Sequence, residues 1–148
     1  MTSRLLFVSL TSLAIVVSCS PTRETTNNKN IVEQEEIIKN KEIPWLEALN
    51  QKENHYIIFV YSETCGHCHD MMDEIIDFAK SDILVTYFIN TRKNKVPISR
   101  EIIENTTDIT ELSILGTPTI LEIESKTVIK NIAGIDKCLT FLIDKRMT

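Results

Sequence analysis

Glycine and proline are scarce in this chain, three and four among 148 residues, which argues against a loop-rich scaffold and for regular strands and helices. Positive charge is not in excess either. With 16 Lys and Arg against 21 Asp and Glu the net charge is −5, and no basic patch is evident, so nucleic acid is not expected as a partner. The apolar stretch Leu5–Val17 is 13 residues long, short of the roughly 20 that a membrane-spanning helix needs. A chain of this length is too short for two well-cored domains and suits one. A hydrophobic share of 43% beside 25% charged residues is that of a globular protein. Its Ile, Val, Leu, Phe and Tyr residues collect in short runs typical of strands.

The first eighteen residues, MTSRLLFVSLTSLAIVVS, carry one positive charge, Arg4, followed by that apolar stretch, the layout of a signal peptide. Val16-Val17-Ser18-Cys19 resembles the bacterial lipobox. The resemblance implies cleavage before Cys19 and acylation of that cysteine, with several chains giving stable anchoring to a membrane. An ordinary secretory signal with an incidental cysteine, and an uncleaved anchor, are the alternatives. Residues 1–18 are thus expected as the signal, 19–42 as a lipidated cysteine and flexible tether, and 43–148 as the folded domain. A coil over 20–40 would reach roughly 25 Å from the bilayer, and IVEQEEIIKN could add a short helix to it. The expected location is extracytoplasmic, on the periplasmic side of a bacterial membrane, where disulfides form and persist. Cys65, Cys68 and Cys138 remain, an odd number. Cys138 is then a free thiol or an intermolecular partner, and reads most simply as a small buried hydrophobe in the last helix.

Along the domain, Pro44–Leu49 has Pro where a first helical turn tolerates it and apolar residues at helical spacing. His55–Tyr61, HYIIFVY, is a continuous apolar run, as in a strand buried on both faces. Cys65–Lys80 follows as a helix with Met72, Ile75, Ile76 and Ala79 on one side, and Ile83–Ile89 as a second strand. Strand, helix, strand implies a parallel pair. A short helix is expected around Ser99–Glu104 and one or two helical turns over Asp108–Leu115. Thr119–Ile123 and Thr127–Ile132 read as a hairpin, and Asp136–Arg146 as a closing helix with Leu139, Leu142 and Ile143 on one side. The fold class is α/β, with a central mixed sheet flanked by helices.

The chemistry lies in Thr64-Cys65-Gly66-His67-Cys68-His69-Asp70, which fits both a redox dithiol and a c-type haem attachment site with His69 as axial ligand. A haem would need a second ligand, and Met147, Met71 and Met72 are poorly placed for one. Cys65 and Cys68 with His67 or His69 could instead hold copper or zinc, and a static disulfide in a partner-displaying scaffold is a third alternative. As a dithiol, Cys65 at a helix start has unpaired backbone N–H groups beside its sulfur, which favours the attacking thiolate. Cys68, one turn on, is placed to resolve the mixed disulfide. A charged His67 would further favour the thiolate.

The order of elements, with Cys65-Gly66-His67-Cys68 after the first strand and Gly116-Thr117-Pro118-Thr119 before a late one, resembles the thioredoxin superfamily over roughly Ile43–Arg146. The first motif matches the dithiol of protein disulfide isomerases and the second the cis-proline loop beside it. The resemblance implies a thioredoxin-like fold and a thiol–disulfide oxidoreductase that uses Cys65, Cys68, His67 and Pro118, with Thr117 and Gly66 facing the substrate. It implies no cofactor beyond the redox-active Cys65–Cys68 disulfide and no metal. Its partners would be cysteine-containing exported proteins and a membrane redox protein, with a lean toward oxidation or isomerisation and a reductase as the alternative. Two features depart from the pattern. Some members bury an acid in the strand before the dithiol, whereas Ile57-Ile58-Phe59-Val60 has no ionisable group, leaving Cys68 to lose its proton to water, His67 or His69. The polar stretch Thr91–Thr107 is longer than compact members need, and is a surface loop or a substrate-facing insertion.

Overall fold

A strand with no polar face can be satisfied only between two covered layers, and HYIIFVY takes that place. The computed structural model of the chain describes residues 23–148; the expected signal segment and Cys19 lie outside the described residues. The sheet runs β2-β1-β3-β4, where β1 is His55–Tyr61, β2 Val85–Asn90, β3 Thr119–Glu124 and β4 Thr127–Ala133. β1 pairs parallel with β2 (Phe59 with Phe88, Tyr61 with Asn90) and antiparallel with β3 (Phe59 with Ile120, Val60 with Thr119). The β3–β4 hairpin turns through Ser125 and Lys126, both at positive φ of 50° and 63°, as a two-residue connection between right-twisted strands requires.

Alternation along β1 divides the interior in two. Ile57, Phe59 and Tyr61 point to one face, where Phe88, Ile120, Ile75, Ile76 and Phe78 close over them. Tyr56, Ile58 and Val60 point to the other, against Trp45, Ala48, Leu112, Ile114 and Leu121. On the first face lie α1 (Arg23–Lys41), α2 (Gly66–Asp70), α3 (Met72–Lys80) and α4 (Ile135–Met147). The helix expected over Cys65–Lys80 is thus two, bent at the fully buried Met71 (φ −104°, ψ 6°). In α4 the buried stripe is Cys138, Phe141 and Leu142, while Ile143, expected inside, is half exposed.

The expected flexible tether over 19–42 needs correction, because its described part is the 19-residue helix α1. Ile37 and Ile38 pack against the first core cluster, Lys80 Nζ stands 2.8 Å from Glu33 Oε1, and Gln34 hydrogen-bonds Asp73. The chain then joins the sheet edge, with Ile43 N donating to Phe88 O at 2.9 Å. The packed body therefore starts before Ile43. Propensity along α1 gives little hint of this; burial of two isoleucines and the cross-helix polar contacts supply the reason.

The second face is covered largely without helix. Pro44–Leu49 forms only a short 3₁₀ turn at Trp45–Glu47, the helix expected at Ser99–Glu104 does not form, and of the turns expected over Asp108–Leu115 a single one closes, Glu111 N donating to Asp108 O at 3.2 Å. Their backbone groups bond elsewhere. The buried Asn131 of β4 donates from Nδ2 to the carbonyls of Ser113 (2.8 Å) and Ile103 (3.1 Å), and Ile114 N donates to Pro97 O at 3.0 Å. These bonds let Leu112 and Ile114 reach the core from an irregular chain, since satisfied carbonyls no longer need a helix. Thr91–Thr107 is accordingly an irregular cover over the sheet.

β3 also buries a charge. Glu122 is 1% exposed, and its Oε1 accepts from His55 Nε2 at 2.8 Å and from Lys145 Nζ, while Lys130 Nζ lies 3.8 Å from Oε2. Burial pushes its carboxyl up, but the hydrogen bonds from Lys145 and His55 and the charges of Lys145 and Lys130 outweigh burial and hold it below the ordinary range.

Candidate functional site

β1 delivers the chain to the site at Tyr61, and a turn reverses it: Cys65 N donates to Ser62 O at 3.1 Å, with Ser62 Oγ and Thr64 Oγ1 3.2 Å apart. Cys65 caps α2 from an extended conformation (φ −91°, ψ 111°). Its sulfur takes the position of an N-cap side-chain acceptor, receiving Cys68 N–H at 3.2 Å. The same sulfur donates to the carbonyl of Thr117 at 3.4 Å, 52 residues away. The two motifs therefore meet at one atom. The Thr117–Pro118 peptide is cis, and the loop is held by Thr119 Oγ1 donating to Gly116 O (2.7 Å) and Gly134 N donating to Pro118 O (2.9 Å).

The two thiols are unequal. Cys65 is half-buried and Cys68 is buried at 1% exposure; both are free, as is Cys138. Burial, then the hydrogen bond with Cys65, pushes the Cys68 thiol up to about 12. An incoming disulfide thus meets Cys65, while Cys68 waits as a protonated thiol. Gly66 leaves the surface beside Cys65 open, with no heavy atom within 4 Å of where a Cβ would stand.

The remaining candidates divide. Cys65, Cys68, Thr117 and Pro118 come together, and Gly66 flanks them. The His67 ring is exposed and its Nδ1 lies 3.7 Å from Asp70 Oδ2, so this imidazole is paired with an acid one turn on. His69 Nε2 lies 2.9 Å from Glu63 O. Each ring has a partner other than the sulfurs, and among the described residues no three His, Cys, Asp or Glu side chains form a metal-binding group. Met71, one of the methionines weighed as a haem ligand, is fully buried in the core. Cys138 lies under the proline loop, fully buried, its sulfur 3.3 Å from Ile132 O and 4.0 Å from Pro118 O. Burial pushes its thiol up to about 11. Among the described residues no helix is long and apolar enough to cross a membrane.

On the α1 side Cys68 borders a cleft of about 640 Å³ whose lining also includes Ile38, Glu42, Glu63, His69 and Lys93. Glu42 and Lys93 were not evident as site residues from the sequence, because the cleft exists only once α1 folds back beside the sheet.

No protein-family model matches the chain, and no curated protein sequence does. Solved structures do match in fold. Mitochondrial thioredoxin 3 from Saccharomyces cerevisiae, in its oxidized form, superposes with a TM-score of 0.53 at 12% identity, over 76% of this chain and 99% of that one. A mutant thioredoxin from Halobacterium salinarum gives 0.50 at 11% identity, over 72% and 91%. The chain has the thioredoxin fold, with a Cys-x-x-Cys pair at the start of its second helix.

Proposed function

From a thioredoxin fold with its dithiol at the junction of β1 and α2, we propose that the chain is a thiol–disulfide oxidoreductase acting on the cysteines of exported proteins, tethered to a membrane through acylated Cys19. The observation that carries this reading is the Cys65 sulfur, held between the N–H of Cys68 and the carbonyl of Thr117, half-exposed above a buried second thiol. The N–H donor remains when Cys65 is a thiolate and supports its charge. Cys65 attacks a substrate disulfide, or receives a substrate thiolate when oxidised, and Cys68 completes or opens the internal disulfide.

Substrate lies along the Gly116–Thr119 loop, with the backbone of Thr117 pairing with an extended segment in strand-addition fashion, and the open surface at Gly66 admits it. A positive charge on His67 beside Cys65 would favour the reduced form and make the disulfide the better oxidant. The Cys-Gly-His-Cys motif leans the direction toward oxidation or isomerisation. A membrane redox protein resets the pair.

Two assays run side by side test the direction. In a glutathione buffer the protein is expected to speed reactivation of a reduced, unfolded disulfide-containing protein above the buffer rate, and to reduce insulin disulfides only slowly. Fast insulin reduction with no gain in reactivation would reverse the lean to a reductase, and no effect in either assay would remove the enzymatic reading.

A further inference from the structure

A buried thiol pushed well above its ordinary range has to lose a proton before it can attack, and β1 offers it no acid. The segment between α1 and the 3₁₀ turn offers one from the other side. Glu42 is bridged to Phe88 at the outer edge of β2, and Phe88 lies in the same apolar cluster as Cys68. Its side chain is 18% exposed, Oε2 accepts from Lys93 Nζ at 2.8 Å, and Oε1 is buried with no hydrogen-bond partner. A buried carboxylate oxygen without a partner is costly and is an open acceptor. Glu42 and Cys68 line the same cleft.

We propose that the Glu42 carboxylate is the proton acceptor for the Cys68 thiol, acting through water in the cleft they share. The proposal rests on the dithiol reading above. In the resolving step Cys68 Sγ–H gives its proton to Glu42, and the resulting thiolate attacks Cys65 Sγ. The Cys65–Cys68 bond forms as the bond between Cys65 and the substrate sulfur breaks. The electron pair leaves on the substrate sulfur, which takes a proton from solvent, so the substrate is reduced and the pair oxidised. Run backwards, protonated Glu42 returns the proton to Cys68 as it departs from the internal disulfide.

Other charged groups face the same space and set the terms of the test: Lys93 from the loop after β2, Glu63 from the turn before α2, His69 from α2, and Glu35 and Lys39 from α1. Tyr61 of β1 is pushed up to about 12 by burial and then by the Glu42 and Glu63 carboxylates, which places both acids beside the end of that strand. Glu63 is the nearest rival, but it is exposed and its Oε1 already accepts from Asn90 Nδ2 at 2.7 Å.

The experiment mixes the reduced, purified full chain with an aromatic disulfide, dithionitrobenzoate, which releases one coloured thiolate when Cys65 attacks and a second when Cys68 resolves. Glu42→Gln is expected to slow the second release about tenfold and leave the first within about twofold, less than the roughly hundredfold or more that a proton acceptor usually contributes because hydroxide can substitute. Glu42→Asp should restore most of the loss and Glu63→Gln should cause none. In the unsubstituted chain the second release should depend only weakly on pH, whereas in Glu42→Gln it should keep rising with hydroxide. A first release at the unsubstituted rate shows that the variant is folded; if it is not, the pH profile of the unsubstituted chain decides, and a rate simply proportional to hydroxide overturns the proposal. An unchanged second release in Glu42→Gln also overturns it. A single release from the unsubstituted chain, with Cys65 left as a lasting mixed disulfide, is a different outcome and removes the dithiol reading itself.

Discussion

Replacing Cys65 with serine will lower thiol–disulfide turnover at least about a thousandfold, roughly 4 kcal/mol of lost transition-state stabilisation, because no other thiol can take its place. Cys68 is buried at 1% exposure and Cys138 is fully enclosed beneath the proline loop. Cys68→Ala will fail differently. Its Cys65 remains beside the Cys68 backbone N–H and the Thr117 carbonyl, attacks a substrate disulfide, and then has no partner to release it. Mixed disulfides should accumulate through Cys65 and run as reducible adducts on a gel, while multiple turnover falls to a comparable extent. A static disulfide in a display scaffold gives no such adducts, so non-reducing electrophoresis of the two variants separates the readings.

The second large effect concerns stability and lies away from the dithiol. Removing Lys145 leaves Glu122 buried with only His55 and Lys130 for company. Lys145→Met should cost about 2–4 kcal/mol at neutral pH, softened from the usual cost of breaking a buried pair by those two remaining partners. The sign of the pH dependence follows from the lowered carboxyl of Glu122. A group whose pKa is depressed by folding contributes stability that is present above its unfolded value, ordinarily about 4.3 for Glu. That contribution is lost as pH falls through the folded value. The gap between the parent and Lys145→Met should therefore be widest near neutrality and shrink as Glu122 becomes protonated. Urea midpoints measured at neutral pH and in acid test this. Equal destabilisation at both would mean that Lys145 acts through its packing over the Phe141 ring, 5.4 Å away, and not through the charge.

What the sequence makes legible here is local. HYIIFVY announces a two-sided strand because every position after His55 is apolar or aromatic, and Cys-x-x-Cys and the Thr-Pro loop are each legible because each motif is a continuous stretch at a strand end. The failures are of long range. Ser99–Glu104 and Asp108–Leu115 have helix-compatible spacing, yet Asn131 in β4 takes the carbonyls of Ile103, 28 residues before it, and Ser113, 18 before it, and lets the segment stay largely irregular. Arg23–Lys41 looks like a polar stalk because its apolar contact with the core rests on Ile37 and Ile38, both partly buried, and what they pack against comes from distant parts of the chain. Glu42 and Glu122 are ordinary acids in sequence. Their character comes from what folding removes from around them: the open partner of one, the solvent of the other.

The absence of an acid in β1 has the same lesson for the site. On the face of β1 that meets the dithiol helix, Phe59 stacks on Tyr61 at 5.9 Å and meets Phe88 edge-on at 6.3 Å, so an acid at Phe59 would replace a fully buried aromatic side chain. The cleft on the α1 side has both a cation, Lys93, and an acid, Glu42, at the margin of the core. On the proposal above, the proton acceptor belongs to the segment that closes over the sheet edge, and the apolar centre of the sheet is left uninterrupted.

The most direct test of the account is a redox titration of the full chain in glutathione buffers, with thiols trapped by alkylation and counted by mass. Cys65 and Cys68 should be lost together in one reversible two-electron transition while Cys138 stays buried and unchanged. The midpoint should fall nearer the roughly −180 mV of protein disulfide isomerase than the roughly −270 mV of thioredoxin. A midpoint at or below thioredoxin's would make the pair a reductant. Thiols that remain at one count across the whole range would contradict the central claim, because a pair that does not cycle is not the working centre of this fold.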